Sequence, residues 1–163
     1  MRSTTTVVAL LALALFTGCV KAGKEVAEEI GIIPSTCGTD GARLEAEVDG
    51  ASFCADGQVV AVGDGSTANV TGLALLGSTI TLQLDTLALG SFNIDEANNA
   101  ILYMSLGTPY VSMGEAAGTL TITHCDGAAR HVKGEFTATV RNEMSGAQKN
   151  LSGSFDVVYS DGE

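Results

Sequence analysis

The sequence predicts an all-β fold, an antiparallel sandwich or barrel-like domain of about eight to ten strands that follows an N-terminal signal and tether. Three observations predict it. Apolar and polar residues alternate with period two along much of the chain after Gly41. Asp-Gly and other turn signals separate these runs at intervals of about 8–12 residues. No long amphipathic helix pattern or α/β alternation interrupts them, and glycine-rich, charge-poor composition suits short strands joined by tight turns.

The most specific turn signal lies in the first predicted hairpin. Residues 44–48 alternate between apolar and charged side chains, and Asp49-Gly50 follows. A type I′ turn needs positive φ at both central residues, which Asp-Gly tolerates well. The sequence therefore predicts a two-residue turn that pairs Val48 with Ala51.

Further strands are expected wherever a period-two run lies between turn signals. The predicted strands are Gln58–Val62, Ala68–Leu76, Thr79–Leu84, Leu87–Ile94, Ile101–Leu106, Tyr110–Met113, Thr119–His124, Ala129–Arg141 and Leu151–Tyr159. This series extends the domain to the last residues of the chain, so we assign residues 41–163 to it.

The N-terminus has the pattern of an export signal. Arg2 precedes an apolar run, Val7–Phe16, that is too short to span a bilayer as a stable helix. The stretch Leu15-Phe16-Thr17-Gly18-Cys19 resembles the lipobox of bacterial lipoproteins, although Phe16 stands where most have leucine. That resemblance implies that residues 1–18 are a lipoprotein signal peptide and that Cys19 is acylated. The alternative is a cleaved, unlipidated signal with an ordinary thiol at position 19.

Residues 19–40 are expected to form a lipidated tether, with a short helix within it. Several acyl chains on Cys19 would anchor the chain firmly to a membrane. Val20 follows the cysteine where an aspartate would change sorting, and resemblance to enterobacterial lipoproteins then implies the outer membrane of a bacterial cell envelope. The sequence leaves a periplasmic or a surface-facing orientation open.

The charge of the chain excludes one class of partner. The formal net charge is −11, and no cluster of lysines or arginines offsets it. Such a surface repels phosphate backbones, so nucleic acid is not an expected partner. Anionic lipid is equally disfavoured, and membrane contact is expected through the acyl anchor on Cys19.

Both histidines of the chain lie in THCDGAARH, residues 123–131. Alternation from Leu120 places His124 on the apolar face, whereas His131 faces outward on the next strand. The expected register pairs Ile122 with Val132 and leaves residues 126–128 as the loop.

This geometry predicts no metal site and no cofactor. Histidines on opposite faces cannot share an ion, and a zinc site needs three or four ligands. The Asp-Gly pairs lack the close, regular oxygen ligands of a calcium loop, so they are interpreted as turns.

Catalytic patterns are equally absent, and we expect a protein without enzymatic activity. No serine has the G-x-S-x-G context of an activated nucleophile. A hydrolase using Asp95, Glu96 and His131 is the weakest of three functional hypotheses.

Three cysteines remain after Cys19 is assigned to lipid. A compartment outside the cytoplasm permits disulfides. The favoured pair is Cys54–Cys125, because it closes the longer loop. Cys37–Cys54, Cys37–Cys125 and three free thiols all stay open.

Three stretches carry a resemblance to a known family. They are AEVDGASF (46–53), GTLTITHCDGAARHVKGEFTATVRN (118–142) and LSGSFDVVY (151–159). In order and spacing they resemble a family of functionally uncharacterised bacterial lipoproteins with a secreted all-β domain. The resemblance implies the fold and export, and it implies no activity.

The preferred function is a monomeric, membrane-anchored binding or structural module that presents a sheet face or loops to an envelope protein or glycan. The alternative is a carrier of a small apolar ligand in a lipocalin-like cavity. Small residues at predicted inward positions would make room for that ligand; they are Ala46, Ala61, Gly134 and Ala138.

Overall fold

The computed structural model describes residues 37–38, 42–95, 98–114 and 117–162. The predicted signal peptide, Cys19 and the short helix expected in the tether lie outside these residues. The described chain forms β1 (Arg43–Val48), β2 (Ala51–Cys54), β3 (Gln58–Gly63), β4 (Ala68–Leu73), β5 (Thr79–Leu84), β6 (Gly90–Ile94), β7 (Ala100–Ser105), β8 (Thr108–Ser112), β9 (Gly118–Asp126), β10 (His131–Arg141), β11 (Gln148–Val158) and β12 (Ser160–Asp161). Within these ranges, no helix has the length and apolar character needed to cross a membrane.

All twelve strands belong to one hydrogen-bonded sheet. Its main order is β12-β3-β4-β5-β7-β8-β10-β11-β1-β2, and β9 and then β6 extend it from β10. The described pairs are antiparallel except for β12 with β3. The ladder does not close on itself, and its two halves cover a common core, as in a sandwich. The all-β prediction is confirmed, with twelve strands in place of about eight to ten.

Strand β10 connects the two halves of the sheet. It pairs with β11 along its whole length. On its other side it pairs first with β9 and then, at Val140 and Arg141, with β8. One half of the sheet is therefore β6-β9-β10-β11-β1-β2, and the other is β12-β3-β4-β5-β7-β8.

The first hairpin has the predicted turn and register. Asp49 and Gly50 adopt φ values of 51° and 78°. Val48 pairs with Ala51. The Asp49 carboxylate accepts a hydrogen bond from the Asn150 amide at 2.9 Å and one from Lys149 Nζ at 3.0 Å. These bonds lower the pKa of Asp49 and fix the turn to β11.

The core is built from the inward-facing residues of the strands, which alternate along each strand with outward-facing ones. Its largest fully buried side chains come from both halves of the sheet; they are Phe136, Leu44, Ile80, Leu82, Leu84, Ile94, Leu120, Val70, Val132, Val140 and Val157. Burial of each such side chain contributes about 1.5–3 kcal/mol relative to exposure.

Aromatic rings fill the space beside Gly134 and Gly153. A Cβ added to Gly134 would stand 2.7 Å from the Phe155 ring, and one added to Gly153 would stand 2.7 Å from the Phe136 ring and from Ala46 Cβ. The glycines therefore let the rings pack against the backbone. Gly134 and Ala46 consequently supply no room for the ligand of the carrier hypothesis.

Candidate functional site

The hairpin formed by THCDGAARH differs from its predicted register. β9 extends to Asp126 and β10 begins at His131, so the loop is residues 127–130. Asp126 Oδ1 accepts hydrogen bonds from the Ala128 and Ala129 amides at 2.9 and 3.0 Å. These amide donors lower the pKa of Asp126. The aspartate therefore closes the loop, which is one residue longer and one residue later than expected.

A β-bulge at Thr123 causes the error in register. Lys133 pairs with His124 and Gly134 pairs with Ile122, so Thr123 is an extra residue on β9. One extra residue reverses the inward and outward alternation of everything that follows it on the strand. The predicted pairing of Ile122 with Val132 is therefore wrong.

The bulge exchanges the faces of His124 and Cys125. His124 is exposed, so the prediction that it lies on the apolar face is wrong. Its ring packs edge-on against His131, with centroids 5.0 Å apart. Cys125 turns inward instead and is partly buried against the core. The two histidines thus share one face, contrary to the expectation from alternation.

His131 and Lys133 both bind Asp156 on the neighbouring strand β11. His131 Nε2 lies 2.6 Å from Asp156 Oδ1, and Lys133 Nζ lies 2.8 Å from Oδ2. Partial burial raises the pKa of Asp156, but the hydrogen bonds from His131 and Lys133 outweigh it and leave the pKa below its ordinary value. Sequence analysis did not connect Asp156 to His131, although registering β10 against β11 would have aligned Lys133 with Asp156.

The hydrogen-bond partners of the histidine pair bear on the hydrolase hypothesis. A hydrolase relay needs a hydroxyl or thiol hydrogen-bonded to the imidazole. Among the described residues, neither His124 nor His131 has such a partner, and no group of three or more His, Cys, Asp and Glu is arranged to hold a metal ion. What these side chains form is a half-exposed charged cluster on a sheet surface.

The other hydrolase candidates lie elsewhere. Asp95 follows β6, where its Oδ1 accepts hydrogen bonds from the Asn98 amide at 2.8 Å and from Asn98 Nδ2 at 3.3 Å. Glu96 lies outside the described residues. Asp95 therefore stabilises a turn.

Asp64 has the same role in the Asp64-Gly65 turn. Its Oδ1 accepts amide hydrogen bonds from Ser66 and Thr67, both at 2.9 Å. The amides of Thr67 and Ser66 lower its pKa to about 2. The Asp64 carboxylate thus stabilises its own turn, as predicted for the Asp-Gly pairs.

The disulfide joins Cys37 to Cys54, so the favoured pairing of Cys54 with Cys125 is wrong. Leu44 donates a backbone hydrogen bond to the Cys37 carbonyl, which holds Cys37 beside β1 and its partner β2. The Cα atoms of the bonded cysteines are 4.6 Å apart. Cys125 is a free thiol whose Sγ lies 3.3 Å from the Leu87 carbonyl oxygen. The bulge turned Cys125 away from the surface on which Cys54 was expected to meet it.

The outward side of β6, β9, β10, β11, β1 and β2 carries small hydroxyl, amide and charged side chains, and we call it the polar face. Its members include Arg43, Glu45, Glu47, Ser52, Ser91, Asn93, Thr119, Thr121, His131, Lys133, Glu135, Thr137, Thr139, Arg141, Asn150, Ser152, Ser154 and Asp156. Hydrogen bonds join neighbouring strands across it, as between Ser91 and Thr121 at 3.0 Å.

Shallow depressions cross the polar face. One of about 340 Å³ lies over β1, β2 and β11 and is lined by Glu45, Glu47, Ser52 and Ser152 among others. Three further depressions continue over β10 and its neighbours. Small side chains therefore allow a partner to approach the backbone closely over several strands.

Comparison with known proteins gives one family. Residues 40–158 match the family described as "Domain of unknown function (DUF6252)". No curated protein matches the chain.

Proposed function

The chain belongs to the DUF6252 family of unknown function, and we propose that it is a cell-envelope lipoprotein whose β domain is a non-enzymatic binding module. The observation that carries the proposal is the polar face, which is continuous over six strands and crossed by open depressions. The proposed partner is a basic segment of another envelope protein.

Carboxylates at the centre of the polar face support a basic partner. Glu47 and Glu135 take part in no ion pair among the described residues. They lie on either side of β11, where Ser152 and Ser154 supply hydroxyls that donate or accept hydrogen bonds. Carboxylates that take part in no ion pair within the protein attract lysine and arginine side chains of a partner and raise its rate of association.

The lipid anchor is supported by the Leu15–Cys19 motif alone. The intact mass of the chain from a bacterial host should show acylation on Cys19 and loss of residues 1–18. Substitution Cys19→Ala should abolish both changes. An unacylated cysteine in the mature protein would contradict the anchor.

Binding through the polar face is tested with a charge-reversal variant. The acylated chain and its Glu47→Lys/Glu135→Lys variant are used to capture proteins from envelope extracts of the same bacterium. We expect a saturable partner whose affinity falls about tenfold or more in the variant and falls with added salt.

The matched control is Glu143→Lys, which makes the same charge change per substitution, and half that of the double variant, on an exposed residue between β10 and β11. It should leave capture unchanged. Absence of any saturable partner, or equal losses in the variant and the control, would contradict the proposal. If the chain instead captured a neutral glycan, and salt did not affect the capture, the partner would be a sugar and not a basic protein segment.

A further inference from the structure

The outward side of β3, β4, β5, β7 and β8 contains no charged residue among those described. We call it the uncharged face; it consists of Gln58, Val60, Val62, Asn69, Thr71, Leu73, Thr79, Thr81, Gln83, Ala100, Leu102, Met104, Pro109 and Val111. Val60 and Leu73 are exposed. The chain has 19 acidic and 8 basic residues. The absence of charged residues from the described outward positions of these five strands therefore distinguishes the uncharged face from the polar face.

Exposed leucines stand at one end of the uncharged face. Leu75 and Leu76 lie in the turn between β4 and β5, with 57% and 81% of their surface exposed, and Leu106 lies in the turn between β7 and β8 with 84% exposed. Thr79 pairs with Met104, so the two turns are neighbours at the same end of the sheet. We call these three residues the leucine tip.

Leu106 also has an unfavourable backbone conformation. Its φ is 49°, in the left-handed region that bulky side chains seldom adopt. An exposed leucine gains nothing from the core in return. Contact with an apolar phase outside the protein would give this side chain a stabilising role.

The chain enters the domain beside the leucine tip. Cys37 is bonded to Cys54, and the Cys54 carbonyl accepts a hydrogen bond from the Asp56 amide. Asp56 Oδ1 in turn accepts one from the Leu75 amide at 2.8 Å. The 18 residue steps between Cys19 and Cys37 reach at most about 60 Å. An acyl anchor on Cys19 would therefore keep this end of the domain within about 60 Å of the bilayer surface.

We propose that the leucine tip inserts into the lipid bilayer and that the adjoining uncharged face lies towards it. This inference rests on the proposed anchor at Cys19. A bilayer suits an exposed leucine tip on a surface whose side chains are apolar, hydroxyl or amide and carry no charge, whereas the acidic remainder of the protein is repelled from anionic headgroups. The polar face, on the opposite side of the sandwich, then stays accessible to a partner.

Tryptophan reporters test the insertion, because the chain has no tryptophan of its own. The acylated Leu76→Trp protein is reconstituted into phosphatidylcholine vesicles that contain brominated acyl chains, which quench indole fluorescence on contact. The matched control is Ser152→Trp, at an exposed position of the polar face. We expect more than about half of the emission to be quenched at position 76 and less than about a tenth at position 152.

A second protein tests the leucines themselves. Leu75→Trp should be quenched in the same vesicles, and adding Leu76→Ser and Leu106→Ser should lower that quenching about threefold or more. Salt between about 0.1 and 1 M should change neither result, since the contact is apolar.

The outcomes separate this inference from its premise. Acylated Cys19 with no quenching at positions 75 and 76 would overturn the insertion and leave the anchor intact. The indole at position 76 could instead show a blue shift that depends on protein concentration, without bromine quenching. That result would mean that the leucine tip contacts a second copy of the chain and not the bilayer. An unmodified Cys19 in the intact mass would overturn the anchor and the insertion together.

Discussion

At the scale of single residues, the backbone around a glycine or a leucine determines what each contributes. Gly134 faces the core, where a Cβ would stand 2.6 Å from the Thr121 carbonyl oxygen and 2.7 Å from the Phe155 ring. Gly127 lies in the loop after β9, where an added Cβ would have no heavy atom within 4 Å. The same residue type is therefore required at one position and replaceable at the other.

Substitution Gly134→Ala should destabilise the domain by about 1–3 kcal/mol, because the methyl group overpacks a filled site. Urea unfolding followed by circular dichroism measures the change. Gly127→Ala is the control and should stay within about 0.5 kcal/mol of the parent. Equal effects of the two substitutions would contradict the packing seen around Gly134.

Substitution Leu106→Asn should stabilise the domain by about 0.5–1 kcal/mol, because asparagine tolerates the left-handed backbone better than leucine does. Leu76 is similarly exposed but is not among the residues of positive φ. Leu76→Asn should therefore give no such gain in the same unfolding measurement. A loss of stability in the Leu106 variant would show that its turn is not under strain.

At the scale of strands and turns, one bulge rearranged the candidate site. The sequence signals for β9 and β10 were sufficient to predict both strands. Thr123 has no special pattern that distinguishes a bulged residue from a paired one, so alternation placed His124 inside and Cys125 outside. The bulge instead brought His124 to His131 and turned Cys125 inward, while Cys54 pairs with Cys37.

The disulfide should contribute about 3 kcal/mol to stability by closing a loop with a sequence separation of 17 residues. Removing it with Cys37→Ser/Cys54→Ser should lower the free energy of unfolding by about that amount, as measured by denaturant titration. Cys125→Ser serves as the control, because a serine hydroxyl can keep the contact with the Leu87 carbonyl. If the Cys125 variant lost as much as the double variant, the assigned pairing would be wrong.

At the scale of the whole molecule, carboxylates with lowered pKa values are distributed over several turns and strands. Asp49, Asp64, Asp126 and Asp156 all accept hydrogen bonds that stabilise the charged form. A lowered pKa in the folded state means that the contribution to stability is present above the unfolded value and disappears as pH falls through the folded value. We therefore expect acid to destabilise the domain.

For Asp64 the window extends from the ordinary value of 3.8 down to about 2. The parent should have a higher midpoint of thermal unfolding than Asp64→Asn at pH 5, and the gap should close as pH falls through this window. Scanning calorimetry in a pH series measures it. A gap that is constant with pH would show that the Asp64 charge is not coupled to folding.

Alternation and turn chemistry were enough for most of the architecture. Asp49-Gly50 predicted its turn and register, because its two residues tolerate the backbone that the turn imposes. The site was less accessible to prediction. His131 and Asp156 are 25 residues apart, and their contact depends on how β10 is registered against β11.

The sequence by itself determined the all-β class, most strand positions and the acidic character of the chain, since these follow from local periodicity, turn residues and composition. Only the tertiary structure decided which cysteines pair, which face His124 occupies, and that the described residues on the outward side of β3, β4, β5, β7 and β8 form one surface without charge. Those outcomes depend on a bulge and on the order in which distant strands pair, which no local pattern encodes.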